Sequence, residues 1–275
     1  MTIPMPLVQM QDNVTTITLN RPEKLNALTP EIYAFIGERV NEASADPACR
    51  AVVLRGNGRA FSAGFDLTLE MGERTHEERL HSLHEIANRA RWAVWRCKKP
   101  VIAAIHGYCM GGAFELVLPC DFTIAAESCR LGEPEILFGE GPAFIMVPWL
   151  VNHKIAKDIL LTGRQFTAAE ALRMGIVTTV VPDDALDAEV DALTRTLCRL
   201  PPSAVTINKV GINRAYEAQG MAAHIDSWVE AAAYLSFMDD EARSEFQRRV
   251  MQEGPSAGIA WRTQYYAGGK ASERT

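Results

Sequence analysis

Short β-branched apolar runs alternate with helix-start signals through the first two thirds of the chain, and this alternation narrows the fold more than any other feature. An order of strand, helix, strand belongs to α/β domains, whose helices cover a largely parallel sheet. Strands are predicted over Val14 to Leu19, Ala51 to Arg55, Val101 to Ile105, Phe122 to Ala126 and Ile176 to Val181. Between them, Thr29-Pro30-Glu31 places a capping hydroxyl before a proline suited to a first helical turn. Thr167-Ala168-Ala169-Glu170 reads as a capping box, and Gly175 as the stop of that helix. From Leu200 onward the pattern changes: Pro201-Pro202 is followed by helical stretches through Tyr216, Trp228, Phe237 and Phe246, with almost no strand signal. The expected division is an α/β core over residues 1–198 and a helical C-terminal subdomain over 199–275. The stretch from Gly254 to Thr275, rich in Gly, Ser and Ala, is expected to be loosely ordered or ordered only against a neighbouring subunit.

A chain of 275 residues with 48% hydrophobic content can bury a full core. Its 28 basic and 34 acidic residues give a net charge of −6. The basic residues are scattered, which argues against nucleic acid or an anionic membrane as partner. No run approaches the roughly 18 apolar residues of a membrane span, and the N-terminus lacks the pattern of a secretion signal, so a cytoplasmic protein is expected. Six cysteines without a C-x-x-C pair read as buried thiols.

Two glutamates, each in its own short signature, carry the chemistry. Glu115 stands in Gly111-Gly112-Ala113-Phe114-Glu115, just after the apolar run that ends at Ile105; Glu135 stands in Gly132-Glu133-Pro134-Glu135. A strand, a glycine turn and an acid at the start of a helix bring a carboxylate beside free backbone N–H groups. Taken alone, Gly111-Gly112 fits equally a tight strand-to-helix turn with no ligand, Glu115 a helix N-terminal acid, and Glu135 a solvated loop acid.

Five segments in order resemble the crotonase family of acyl-CoA enzymes: Asn20-Arg21-Pro22-Glu23-Lys24-Leu25-Asn26-Ala27-Leu28, Arg59-Ala60-Phe61-Ser62-Ala63-Gly64-Phe65-Asp66-Leu67, Lys99 to Gly107 running into Gly111-Gly112, Gly132-Glu133-Pro134-Glu135-Ile136-Leu137, and Leu161-Thr162-Gly163. The likeness covers most of residues 10 to 185. It implies a spiral of ββα repeats with a helical C-terminal part that packs into homotrimers, often paired as hexamers. It further implies a thioester enolate held by two backbone N–H groups, those of Phe65 and Gly112. Donors preorganised toward such an oxygen are worth on the order of 3 to 4 kcal/mol each. In members that hydrate 2-enoyl-CoA, both acids hold one water; by that likeness Glu115 takes its proton and Glu135 delivers a proton to Cα. Two carboxylates crowded in a water-poor site do not both ionise freely, so at least one should have a raised pKa. The resemblance assigns coenzyme A to Lys24 and Leu25 and to the strip Ala63, Asp66 and Leu67. Lys24 fits a phosphate partner or a solvated surface lysine, and Asp66 more readily holds its loop than touches substrate. No metal or redox cofactor is implied, and coenzyme A enters as part of the substrate.

One segment departs from the family pattern. Where many hydratases carry a glycine-rich stretch, this chain has Gly139-Glu140-Gly141-Pro142-Ala143-Phe144. Ala143 and Phe144 are expected to narrow or reshape the acyl pocket, and Glu140 to lie in a solvated loop. The departure keeps open a double-bond isomerase, in which one glutamate shuttles a proton, and a CoA-thioester-binding protein without catalysis is the alternative of another class. His76, His81 and His84 lie close in sequence on a predicted helix, without a further ligand to suggest a metal. Trp92 and Trp95 read as apolar faces of that helix, and His106 as a turn residue.

Overall fold

The computed structural model describes residues 3–268 apart from 71, 73, 236 and 239. Its strands are β1 (Leu7–Gln11), β2 (Val14–Leu19), β3 (Ala51–Gly56), β4 (Val101–Ile105), β5 (Tyr108–Met110), β6 (Phe122–Ala126), β7 (Arg130–Gly132), β8 (Gln165–Thr167) and β9 (Thr179–Val181). A six-stranded sheet runs β1-β2-β3-β4-β6-β9, parallel except for the β1-β2 pair, and a small second sheet runs β5-β7-β8. Chain segments therefore pass in turn from the large sheet to the small one, as in the crotonase spiral. Among the described residues no helix is long and apolar enough to cross a membrane.

The central strands are apolar throughout because both faces of their sheet are covered. In β3, Val52 and Leu54 face the main core while Ala51 and Val53 face a second cluster against Leu186, Val190 and Leu197. The last three belong to one helix, Leu186–Arg199. The sequence boundaries of β2, β3, β4 and β6 agree with expectation to within a residue. The fifth predicted strand shortens to Thr179–Val181, because Ile176 and Val177 enter the core as the chain leaves the helix stopped by Gly175.

The helices are α1 (Pro30–Ala45), α2 (Leu67–Glu70), α3 (His76–Leu80), α4 (Arg89–Arg96), α5 (Gly112–Val117), α6 (Val147–Leu150), α7 (His153–Thr162), α8 (Ala168–Met174), α9 (Leu186–Arg199), α10 (Pro202–Ala218), α11 (Met221–Leu235), α12 (Glu241–Glu253) and α13 (Pro255–Gly268), with a π-helical stretch, His81–Asn88, joining α3 to α4. Thr29 caps α1 through the Ile32 amide, and Thr167 and Glu170 form the capping box of α8. The six cysteines are free thiols.

Two expectations are corrected. The segment from Pro255 to Gly268 is a helix, α13, laid on α12: Gly258 has no Cβ to collide with Val250 and Phe246, so the two helices approach closely. The rest of that tail lies outside the described residues. Glu140 is buried, not solvated, because Arg79 of α3 and Arg243 of α12 hold its two oxygens at 2.9 and 3.0 Å.

Candidate active site

Strands β5 and β7 end in register, Met110 opposite Gly132, and the Gly111 amide donates to the Gly132 carbonyl at 2.8 Å. This pairing brings three acids together, since Glu115 follows on the first turn of α5 while Glu133 and Glu135 follow β7 directly. Gly111 has φ +52° and ψ −126°, a conformation that side-chain-bearing residues avoid. A Cβ there would run into Oε1 of Glu135. The glycine turn is thus required twice, by its backbone and by the carboxyl resting on it.

Gly64 plays the matching part on the other wall. With φ +95°, it lies so close to β5 that an added Cβ would sit 2.6 Å from the Met110 carbonyl and 3.3 Å from the Gly112 nitrogen. Phe65 therefore follows a glycine packed against Gly112, and the Leu28 to Phe65 bridge fixes that loop. Among the described residues, neither the Phe65 nor the Gly112 amide donates to a turn, loop or side-chain acceptor.

Glu115 is fully buried and tightly held. Its Oε1 accepts from the Ala143 amide at 3.0 Å, its Oε2 accepts from the Phe144 amide at 3.1 Å, and Oε2 also lies 2.7 Å from Arg91 of α4. Arg91, itself fully buried, donates to Asn88 at 2.6 Å and to the Tyr33 hydroxyl at 3.0 Å; Tyr33 in turn donates to the Gly112 carbonyl at 2.8 Å. Burial pushes the Glu115 carboxyl up, while Arg91 and the two amides pull against that shift. The segment after Glu135 thus does more than shape a pocket: Ala143 lines the cavity, whereas Phe144 turns inward against Trp92, ring centroids 5.1 Å apart.

Glu135 starts a short 3₁₀ turn (Glu135–Phe138), and its carboxyl is pushed up to about 7, chiefly by burial and also by the charge of Glu115. Glu133 is raised further, by burial and then by both neighbouring carboxylates. Glu115, Glu133 and Glu135 each offer an oxygen within 4.8 Å of the others, the one such grouping of potential metal ligands among the described residues. Carboxylates this close need a cation or a proton between them. Arg91 supplies one positive charge, on the Glu115 side.

Glu115 and Glu135 open into a cavity of about 440 Å³ that Leu25, Ala63, Phe65 and Leu67 also line. Of the nine residues expected at the site, these six meet there. Gly112 stands behind Gly111 and Gly64. Asp66 is turned away from the cavity, with Arg21 at 3.2 Å, which holds the loop as expected. Lys24 is exposed outside the lining, at the end of a 3₁₀ turn. Leu25 and Asn26 both take positive φ, and Asn26 sustains this by accepting from the Arg21 amide and donating to the Asn57 and Ala60 carbonyls. His76 stacks edge-on with Tyr234 and Phe237, His84 pairs with Glu85, and His106 bonds the Gly58 carbonyl.

The profile of the enoyl-CoA hydratase/isomerase family matches residues 9–245. The chain belongs to this family. A probable enoyl-CoA hydratase of Mycobacterium bovis is 36% identical over 215 residues, 77% of this chain and 82% of that protein. A crotonyl-CoA hydratase of Syntrophomonas wolfei is 30% identical over 80% of this chain and 84% of its own length. A crystal structure of an enoyl-CoA hydratase/isomerase from Xanthobacter autotrophicus Py2 superposes with a TM-score of 0.87 at 38% identity, covering 95% of this chain and 98% of that one.

Sequence reasoning missed three groups in this member of the enoyl-CoA hydratase/isomerase family. Arg91 left one trace, a lone cation in the otherwise apolar run Ala90-Arg91-Trp92-Ala93-Val94-Trp95. Glu133 left another, a second acid two residues before Glu135 in Gly132-Glu133-Pro134-Glu135, which the turn at Pro134 brings beside it. Arg262 left none, because its place on the cavity wall depends on α13 folding back over the site.

Proposed function

We propose that this protein hydrates the double bond of a 2-enoyl-CoA thioester. The observation that carries the reading is a pair of carboxyls in unlike settings on one cavity: Glu115 beside a guanidinium, and Glu135 held near neutrality in its pKa, both next to the Phe65 and Gly112 amides. Glu115, ion-paired, serves as the base that takes a proton from water as its oxygen attacks Cβ. Glu135 gives its proton to Cα. The two amides carry the charge that gathers on the thioester oxygen between those events. The hydratase names of the relatives support the same reaction. Coenzyme A arrives as part of the substrate, with Leu25, Ala63 and Leu67 along its path, and none of these steps calls on a metal or redox group. The working form is a cytoplasmic homotrimer or a pair of trimers built through the helical C-terminal region.

A panel of short, branched and cyclic 2-enoyl-CoA thioesters, read by mass for added water, tests the reaction. Water added to none of them, with a 3-enoyl-CoA double bond moved instead, would replace this reading by isomerisation. One observation favours that second reading: both oxygens of Glu115 are already occupied, and an isomerase needs only Glu135. Binding without turnover would leave a thioester-binding protein.

A further inference from the structure

Both oxygens of Glu133 are buried and meet no N–H or O–H donor among the described residues, and Oε2 of Glu135 is in the same position. Glu133 is 1% exposed and does not line the cavity. Its carboxyl instead touches the carboxyls of both Glu115 and Glu135. A contact between carboxyl groups attracts only when a proton lies in it, and an unpaired buried carboxylate is costly. The other charged or titratable groups facing the trio are Arg91 from α4, Cys109 from β5 and, toward Glu135, Arg262 from α13. Arg91 is committed to Glu115, so the proton belongs on the Glu133 side.

We propose that Glu133 is a neutral carboxylic acid that relays a proton from Glu115 to Glu135 after each turnover. The inference rests on the roles given above to those two residues. Hydration ends with Glu115 protonated and Glu135 ionised, the reverse of the starting state. Glu133 touches both. Its free oxygen accepts the proton from Glu115 while its own O–H bond breaks and that proton passes to Glu135. One proton crosses, Glu133 is neutral before and after, and no outside acid or base takes part. Glu133 is in this sense a positioning and relay residue, since it does not touch substrate.

Glu133→Gln keeps shape and hydrogen-bonding capacity but cannot pass a proton on. In weak buffer, rapid-quench kinetics of the full-length variant should show a first turnover within about twofold of wild type, followed by a steady state about 100-fold slower, the scale of a positioned proton transfer. Formate or imidazole should restore the steady state, which a merely structural defect would not allow. Wild-type steady-state rates in weak buffer, a slowed first turnover, or no response to added acid would each overturn the relay. So would stoichiometric divalent metal in the purified wild type, because a cation would then hold the trio. Should the variant not fold, infrared spectroscopy decides, with the band read against Glu135→Gln, which removes the other protonated acid. A neutral carboxyl C=O band at pH 7 that shifts in D2O is expected to persist in that variant, and its absence there overturns the proposal. If Glu115→Gln and Glu135→Gln are themselves near wild type, the hydratase roles fail first, independently of the result at Glu133.

Discussion

Removing Arg91 would leave Glu115 buried beside Glu133 and Glu135 with its two amide donors and no cation to offset its charge. Arg91→Met should therefore cost about 3–5 kcal/mol in urea unfolding, the usual penalty for orphaning one member of a buried ion pair. Arg91→Lys should recover part of this, since it keeps the charge and loses the links to Asn88 and Tyr33. At the acids themselves, Glu115→Gln and Glu135→Gln should each lower turnover at least about 100-fold. The pH dependence has a defined sign. As the proton donor, Glu135 must be protonated, so kcat/KM for hydration should fall as pH rises through about 7, the apparent value of a titration it shares with Glu133. A flat profile from pH 6 to 8 would contradict the assignment. At this scale the two named acids were readable because each sits in a short contiguous signature. Arg91 was not, because its partner lies in another segment and nothing local announces an ion pair formed across the core.

Elements bring these residues into contact through two glycines and a pair of helices. Gly111→Ala should lower kcat at least about 100-fold, in the range of a displaced acid, because the new methyl takes the space of the Glu135 carboxyl. Gly211→Ala is the contrast: it lies within α10 with nothing near its missing Cβ, and it should stabilise the fold by about 0.5–1 kcal/mol. Thermal melts and steady-state rates on the pair separate a site effect from a general one. The long buried strands and the capped helices were legible from the sequence through β-branched runs and the Thr29 and Thr167 signals. Strand β1 was not, since Leu7-Val8-Gln9-Met10-Gln11 holds a single β-branched residue and all five residues are exposed, with no core face to mark them. Strands β5, β7 and β8 span three residues each, too short for a period to register. Helix α13 was misread because Gly, Ser and Ala argue for a loose tail, whereas here their small size is what lets it lie on α12.

Over the whole molecule, the helices after Leu200 do not stand apart from the rest. Met221 and Ile225 of α11 enter the main core, and Val229 and Ala233 pack with Leu83 and Ala143. Leu200 just before α10, and Ile207 and Ile212 on it, are exposed apolar side chains available to the proposed trimer. Light scattering should give three or six copies, and a monomer at micromolar concentration would refute that assembly. The Arg79–Glu140–Arg243 bridge and the folding of α13 onto the cavity wall give the two ends of the chain different parts in the site. The N-terminal two thirds supply the acids and amides, while Ile259 and Arg262 of α13 join Phe138 along the wall. Natural sequence change can therefore exchange the α12–α13 hairpin without replacing the acids and amides themselves, provided the charge that Arg262 holds toward Glu135 is kept. Grafting the hairpin of one relative onto the core of another, with a residue matched to Glu140 retained at the seam, would then transplant acyl preference as a cassette.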